Sequence, residues 1–240
     1  MWTLFATGAY NHNEVLSLGG LGDIDDGGTG LITVGLPLGS HYEVKWGGVD
    51  AATGAPLYYT KDGKLTSDYA VADPVQEFGT WESPWKGGFG SNIRYKGFEF
   101  NVLFSWQQGA KKVDNLEYFL ENPVGFMSAG YNQSSDLNMW KKPGDIASTP
   151  SPLYSVNFSS KIIHDASFLR LRDVTFSYVV PAVTIEKTKF ISSLRLFVQG
   201  TNLWMWTKWR GRDPEAGAVN LNISEYPNPR AFTGGIDITF

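Results

Sequence analysis

Phe98-Glu99-Phe100-Asn101-Val102-Leu103-Phe104-Ser105-Trp106 sets five large apolar side chains at every second position, with Glu99, Asn101 and Ser105 between them and Leu103 the one exception. Side chains alternate faces along a strand, whereas a helix repeats every three or four residues, so this spacing predicts a strand with one apolar side. Immediately upstream, Phe89, Ser91, Ile93 and Tyr95 alternate with Gly88, Gly90, Asn92 and Arg94, and only Lys96-Gly97 separates the two runs. Two residues ending in glycine make a hairpin turn, so these runs are expected to pair antiparallel.

The same period of two recurs outward from this hairpin. Leu194, Leu196, Val198, Gly200, Asn202, Trp204 and Trp206 share one predicted face, opposite Arg195, Phe197, Gln199, Thr201 and Leu203. Phe232, Gly234, Ile236, Ile238 and Phe240 alternate with Thr233, Gly235, Asp237 and Thr239. Between Ser167 and Val179 the apolar phase moves from Leu169 and Leu171 to Val174, Phe176 and Tyr178 across Arg172-Asp173, which one inserted residue, a β-bulge, would reconcile. Trp2 to Tyr10 reads as a weaker strand with Phe5 out of phase, and Tyr42 to Trp46 as a short candidate.

Composition agrees with many strands joined by turns. The 240 residues hold 9 Trp, 11 Tyr, 15 Phe and 27 Gly, and only 18% are charged. A net charge of -4 gives no support to nucleic acid as a partner, which normally calls for a basic stripe. The absence of cysteine excludes disulfides, thiol nucleophiles and Cys-ligated metals. No apolar run approaches the roughly 20 residues of a spanning helix, and Met1-Trp2-Thr3-Leu4-Phe5 opens in a patterned segment without a signal-peptide pattern.

The connections are uneven. Residues 49–87, 108–166 and 207–229 are long, whereas 96–97 and 180–193 are shorter. If successive strands run antiparallel, the long ones emerge at one end of the sheet, the pattern of outer-membrane barrels. The 11–41 connection falls on the short side and breaks the rule. Alternation alone does not separate a soluble β-sandwich, apolar inward, from a membrane barrel, apolar outward. Trp204 and Trp206 extend an apolar face at the long-loop end, where a barrel places an aromatic girdle. A carbohydrate-binding module would instead use Trp81, Trp85, Trp140 and Trp209 as sugar platforms, and a small self-contained barrel is a third possibility.

Ala166-Ser167-Phe168-Leu169-Arg170-Leu171-Arg172-Asp173-Val174-Thr175, Ser193-Leu194-Arg195-Leu196-Phe197-Val198-Gln199-Gly200-Thr201-Asn202-Leu203, Gly211-Arg212-Asp213-Pro214-Glu215 and Tyr226-Pro227-Asn228-Pro229-Arg230, leading to Phe240, resemble in this order the C-terminal end of SusC/RagA-type TonB-linked outer-membrane transporters. Gly48 to Tyr59 and Tyr95-Lys96-Gly97-Phe98 are similar to further family segments. The resemblance implies part of a roughly 22-stranded transmembrane β-barrel with long outer loops and short periplasmic turns. It implies residence in the outer membrane of a Gram-negative, Bacteroidota-like bacterium, and import of an oligosaccharide or peptide with a SusD-like lipoprotein lid and the TonB complex. Residues 1–240 would then be a C-terminal barrel segment, with the plug and earlier strands outside it. Phe232, Ile236, Ile238 and Phe240 would form the lipid-facing terminal strand read by the barrel-assembly machinery, with outer-membrane lipid against it. Asp213-Pro214-Glu215 would shape an outer loop, and the shared motifs carry no substrate-contacting residue.

Catalysis has little support. His12, His41 and His164 read as solvated loop residues, and neither a His-Glu-x-x-His nor a Gly-x-Ser-x-Gly motif occurs. Asp23, Asp25 and Asp26 before Gly27-Gly28 suggest a calcium loop, but without the distal glutamate of an EF-hand a Gly-rich turn is the favoured reading. The expectation is a transport protein with neither enzymatic activity nor cofactor, and a soluble β-sandwich carbohydrate-binding module is the alternative.

Overall fold

The computed structural model describes residues 1–240 except 123, 125–129, 131, 187–188, 218–220 and 223–224. Six long strands carry the architecture: β1 (Trp2–Tyr10), β2 (Trp85–Tyr95), β3 (Phe98–Gln108), β4 (Phe168–Val179), β5 (Ser193–Thr207) and β6 (Ala231–Thr239). They pair antiparallel in chain order, making one open six-stranded meander. The β2–β3 hairpin has Tyr95 opposite Phe98, and Lys96 and Gly97 take φ values of 47° and 89°, the left-handed pair that a two-residue hairpin requires.

The register sorts the faces. Phe89, Phe104 and Leu171 lie level across three strands, as do Ile93, Phe100, Phe176, Val198 and Gly234. All belong to the apolar series, so one side of the sheet is apolar along its full width. Two aromatics on the polar side, Phe5 and Phe197, break the alternation, and each sits on a glycine of the neighbouring strand. A Cβ on Gly90 would lie 2.4 Å from Phe5 Cζ, and one on Gly235 2.6 Å from Phe197 Cε1. Removing the neighbouring side chain makes room for a ring on the polar side.

The bulge lies where the phase shift predicts it. The β4–β5 register slips between Leu171 and Asp173, leaving Arg172 extra on β4. The matching irregularity on β5 corrects the expected facing there. Asn202 adopts φ 54° and its Oδ1 accepts from Arg172 Nη1 at 3.1 Å on the polar side. Leu203 turns to the apolar side and covers Gly200, where a Cβ would lie 2.7 Å from its Cδ2. A two-residue irregularity thus swaps Asn202 and Leu203 while leaving Trp204 on the apolar face.

Three long connections, 11–84, 109–167 and 208–230, leave the sheet at one end, and 96–97 and 180–192 at the other. The 11–41 anomaly disappears, because Glu43–Val44 and Trp46–Val49 belong to small sheets within the first connection and not to the main sheet. The chain therefore contributes six main strands where the sequence suggests about seven.

Burial is inverted relative to a soluble sandwich. The fully buried apolar residues Tyr58 and Val113, with Ile162, Val44 and Val156, lie in the connections, which pack on each other. The apolar side chains of the sheet are largely uncovered: Ile236 is 63% exposed, Val198 59% and Trp204 54%. No second sheet packs over that face among the described residues. Scattered exposed apolar residues are ordinary, but a continuous face of them marks an interaction surface.

Candidate functional site

Phe232, Ile236 and Ile238 stand opposite Gly200, Leu196 and Leu194 on the apolar side, and Phe240 follows the end of β6; all four are exposed. Trp204 and Trp206 stand on the same side at the loop end, ring centroids 6.4 Å apart. Their row extends further than the sequence indicates, through Trp106, which shares Leu169 as a partner with Trp206, to Trp85, whose ring lies tilted 4.4 Å from that of Tyr10. At the opposite end Tyr95, Phe98 and Tyr178 form a second row, with Phe98 4.6 Å from Tyr178. Eight residue steps separate Phe98 from Trp106, roughly 27 Å along an extended strand. The register across strands, which a single sequence does not print, is the signal that assembles these rows.

The polar side behaves differently. Arg94 pairs with Glu99 at 3.0 Å and Arg195 with Asp237 at 2.9 Å, both across neighbouring strands. Asn92 hydrogen-bonds Asn101, and Gln199 donates to Asp173. Toward the loop end this side meets the third connection. Arg170, buried on β4, donates to Asp213, also buried, and its Nε lies 3.0 Å from Glu215 Oε2 in an ion-pair contact that is poorly aligned as a hydrogen bond. Arg172 donates to Glu215 Oε1 at 2.5 Å and to Ser105 Oγ at 2.8 Å. Asn228 completes the cluster, its backbone N–H donating to Asp213 Oδ2 at 2.9 Å and its side chain to Glu215 Oε2 at 3.2 Å.

Four sequence segments distant along the chain, Phe168–Val174, Gln199–Asn202, Asp213–Glu215 and Asn228, thus meet in one hydrogen-bonded network. Asp213 and Glu215 do shape the loop, and the structure adds how: they clamp it to the polar side of β4. Buried charges are tolerable only when paired and hydrogen-bonded, and this cluster satisfies both signs.

A second charged cluster joins the second and third connections. Helix α1 (Asn115–Leu120) is capped by Asp114, whose side chain accepts from Glu117 N at 3.2 Å. Buried Glu117 takes Lys161 Nζ at 3.2 Å and Arg210 Nη1 at 3.2 Å, and His164 Nε2 donates to its other oxygen. Glu121 takes the same Lys161 at 2.6 Å and Arg210 at 2.9 Å. Burial pushes the Glu117 carboxyl up, but His164, Lys161 and Arg210 together outweigh it and hold it below the usual range. Asp114 is pushed up by burial. Lys112 is pulled down by burial; its ammonium donates to the carbonyls of Pro214 at 2.7 Å and Gly217 at 3.2 Å.

These findings correct two histidines. His41 is fully buried, with Nε2 donating to Lys111 O at 2.8 Å and Nδ1 2.6 Å from Thr29 Oγ1, and His164 is part of the Glu117 cluster; only His12 is an exposed loop residue. Among the proposed sugar platforms, Trp81 lies over Gly39, Trp140 lies over Gly54 and donates to Ala51 O at 3.0 Å, and Trp209 is buried. They fasten the connections and leave Trp85 as the exposed member. Asp25 accepts from Gly27 N at 2.8 Å in a turn, and no group of three or more metal-ligating side chains occurs among the described residues.

The whole chain superposes on a solved structure described as the RagAB peptide transporter with a TM-score of 0.88 and 28% identity, covering 100% of this chain and 27% of the other. The chain has the barrel fold of the SusC/RagA-type TonB-dependent receptors. The RagAB peptide importer in its open-open state gives a TM-score of 0.87 at 28% identity, over 100% of this chain and 27% of that one. Two curated relatives come from Formosa agariphila. TonB-dependent receptor P3 is 28% identical over 88% of this chain and 23% of its own length, and TonB-dependent receptor P39 is 26% identical over 100% of this chain and 28% of its own. The chain spans about a quarter of the length of the curated relatives it matches. No protein-family model matches it.

Proposed function

We propose that the chain is the C-terminal barrel segment of an outer-membrane nutrient importer, with plug and earlier strands supplied outside residues 1–240. The observation that carries the reading is the inverted burial: a continuous apolar face uncovered on one side of the sheet, ion pairs and amides on the other, and the buried apolar residues, Phe168 at the loop end of β4 apart, in the connections. In lipid the apolar face loses nothing, and the paired polar face lines an enclosed lumen. Trp204 and Trp206, with Trp106, Trp85 and Tyr10, then sit where hydrocarbon meets headgroups at the outer surface. Phe232, Ile236, Ile238 and Phe240 present the terminal lipid-facing strand to the barrel-assembly machinery.

The cargo is an oligosaccharide or a peptide, and the peptide is favoured by the RagAB structures described as peptide transporters. The same likeness supports a SusD-like lipoprotein over the long connections, with TonB supplying the energy through the plug. Both rows of aromatics and the clamped loops fit this work without any bond-making chemistry.

Expression with an export signal tests the reading. The importer predicts recovery in the outer-membrane fraction and dependence on detergent, and a monodisperse detergent-free monomer would end it. Uptake of labelled peptide against labelled oligosaccharide by cells carrying the full receptor, with and without its lipoprotein, then separates the cargoes.

A further inference from the structure

We propose that the pocket where the first connection meets the loop end of β2 and β3 seats the N-terminal residue of a peptide cargo, with Glu82 holding its α-ammonium and Lys86 and Gln107 its first carbonyl. The proposal rests on the reading of the chain as part of a peptide importer whose lumen meets the polar side of the sheet. Trp81, Glu82, Lys86, Gln107 and Lys112 line a space of about 210 Å³. That is below the roughly 300–1,000 Å³ that encloses a whole small molecule, and it suits one residue at the end of a chain.

The sequence builds this pocket from two directions. Lys86 and Gln107 stand opposite each other on β2 and β3. Each follows or precedes a residue of the apolar side, Trp106 and the Gly87 on which its ring leans, where a Cβ would lie 2.9 Å from Trp106 Cζ2. Alternation therefore turns Lys86 and Gln107 to the polar side. The first connection arrives there through Trp81, whose ring seats on Gly39, where a Cβ would lie 2.4 Å from Trp81 Nε1. Ser83 fixes the approach to β2, its Oγ accepting from Gln108 N at 3.0 Å and donating to Trp85 O at 2.7 Å. Glu82 lies between these two anchors.

Unsatisfied groups of both signs decide what fits. On the polar side of the six strands Arg94 pairs with Glu99, Arg195 with Asp237, Arg170 with Asp213 and Arg172 with Glu215, and Asp173 accepts from Gln199. Lys86 is the charged residue of that side whose side chain has no hydrogen bond or ion pair among the described residues, and the side chains of Glu82 and Gln107 have none either. Trp81 Nε1 is buried without a partner. The other charged groups of the lining are taken: Lys112 donates to the carbonyls of Pro214 and Gly217, and Glu215 holds Arg170 and Arg172. One carboxylate, one ammonium and one amide thus share a small pocket without satisfying each other. A peptide N-terminus carries its ammonium and its first carbonyl on neighbouring carbon atoms, so it offers a cation to Glu82 and an acceptor to Lys86 and Gln107 within one residue. A lysine side chain holds the same ammonium far from any carbonyl, and a neutral sugar calls for neither charge. Hydrogen bonds to charged groups are the strong ones, so this set of groups selects the free terminus.

The test takes the complete receptor with its lipoprotein, purified in detergent, and oligoalanine peptides labelled at the C-terminus: with a free N-terminus, N-acetylated, and N-acetylated with a central lysine. Fluorescence anisotropy gives their affinities. The free peptide should bind about tenfold tighter than the acetylated one, the ratio expected from one charge-assisted hydrogen bond, and the lysine should not restore the loss. Glu82→Gln should bring that ratio close to one, and Lys86→Met should weaken the free peptide. A ratio near one in the parent, a comparison that needs no variant to fold, would overturn the proposal, as would an unchanged ratio in assembled Glu82→Gln. Recovery of affinity through the lysine would assign the pocket to a side-chain ammonium and overturn the terminal assignment. Binding of none of the peptides would instead defeat the peptide-importer reading on which the proposal rests.

Discussion

Arg170 in strand β4 and Asp213 in the third connection, 43 residues apart in sequence, form a buried ion pair that fastens the loop to the polar side of the sheet. Glu215 and Asn228 share the same groups, so the pair is the centre of a network and not an isolated contact. Removing one partner from a buried charge pair leaves the other uncompensated, at about 3–5 kcal/mol. Arg170→Met is expected to release residues 208–230, read as faster proteolysis there with the sheet still assembled. Arg170→Met combined with Asp213→Leu should recover much of the loss, because no unpaired charge at Asp213 remains.

Ile236 and Thr233 lie on the same strand but on opposite sides of the sheet. On the proposed lipid side, Ile236→Arg should cost about 2–4 kcal/mol near mid-membrane. Thr233→Arg, directed toward the lumen, should cost far less. Yield of folded barrel in the outer membrane, scored as a compact heat-modifiable band, checks the contrast. Equal losses from both substitutions would remove the distinction between a lipid side and a wet side.

Phe197 rests on Gly235, and Arg195 stacks on the same ring with its guanidinium carbon 5.2 Å from the centroid. A methyl group at Gly235 has no room while that ring is in place. Gly235→Ala should lower stability by about 1–3 kcal/mol, the usual penalty for overpacking. Phe197→Ala in the same chain should restore most of it, since the clash disappears. Thermal loss of the compact band across the three variants measures the coupling.

Much of the sheet could be read directly from period-two spacing. Phe98 to Trp106, the Lys96-Gly97 turn and the slip at Arg172 all appear in the structure where alternation places them. Asn202 and Leu203 were illegible because a left-handed residue exchanges faces without changing the composition of the strand. Tyr42 to Trp46 misled for a different reason: its alternation is real, but the segment pairs within the first connection, and pairing partners are a tertiary property. The charged networks were hidden for the same reason. Arg170 and Asp213 stand in recognisable motifs, yet nothing in either motif names the other as its partner.

Glu117 makes the loop cluster sensitive to acid. Its folded-state carboxyl lies below the ordinary value of 4.5 because His164, Lys161 and Arg210 outweigh the opposing effect of burial. A depressed carboxyl contributes stability that is present above the unfolded value and lost as pH falls through the folded one. The contribution of Glu117 is therefore intact at neutral pH and disappears in the window below about pH 4.5, as its protonation weakens the hold on Lys161, His164 and Arg210. Asp114 opposes this: burial raises its carboxyl, so it takes up a proton earlier in the same descent and favours the folded form. The step should accordingly be modest. Trp209, whose ring lies 6.2 Å from that of His164, offers a local fluorescence reporter once the other tryptophans are corrected for by a Trp209→Phe control. Acid titration should show a transition below pH 4.5 in the parent. Glu117→Gln should remove that transition and lower stability already at neutral pH, and an unchanged acid transition in this variant would assign the sensitivity to another carboxyl.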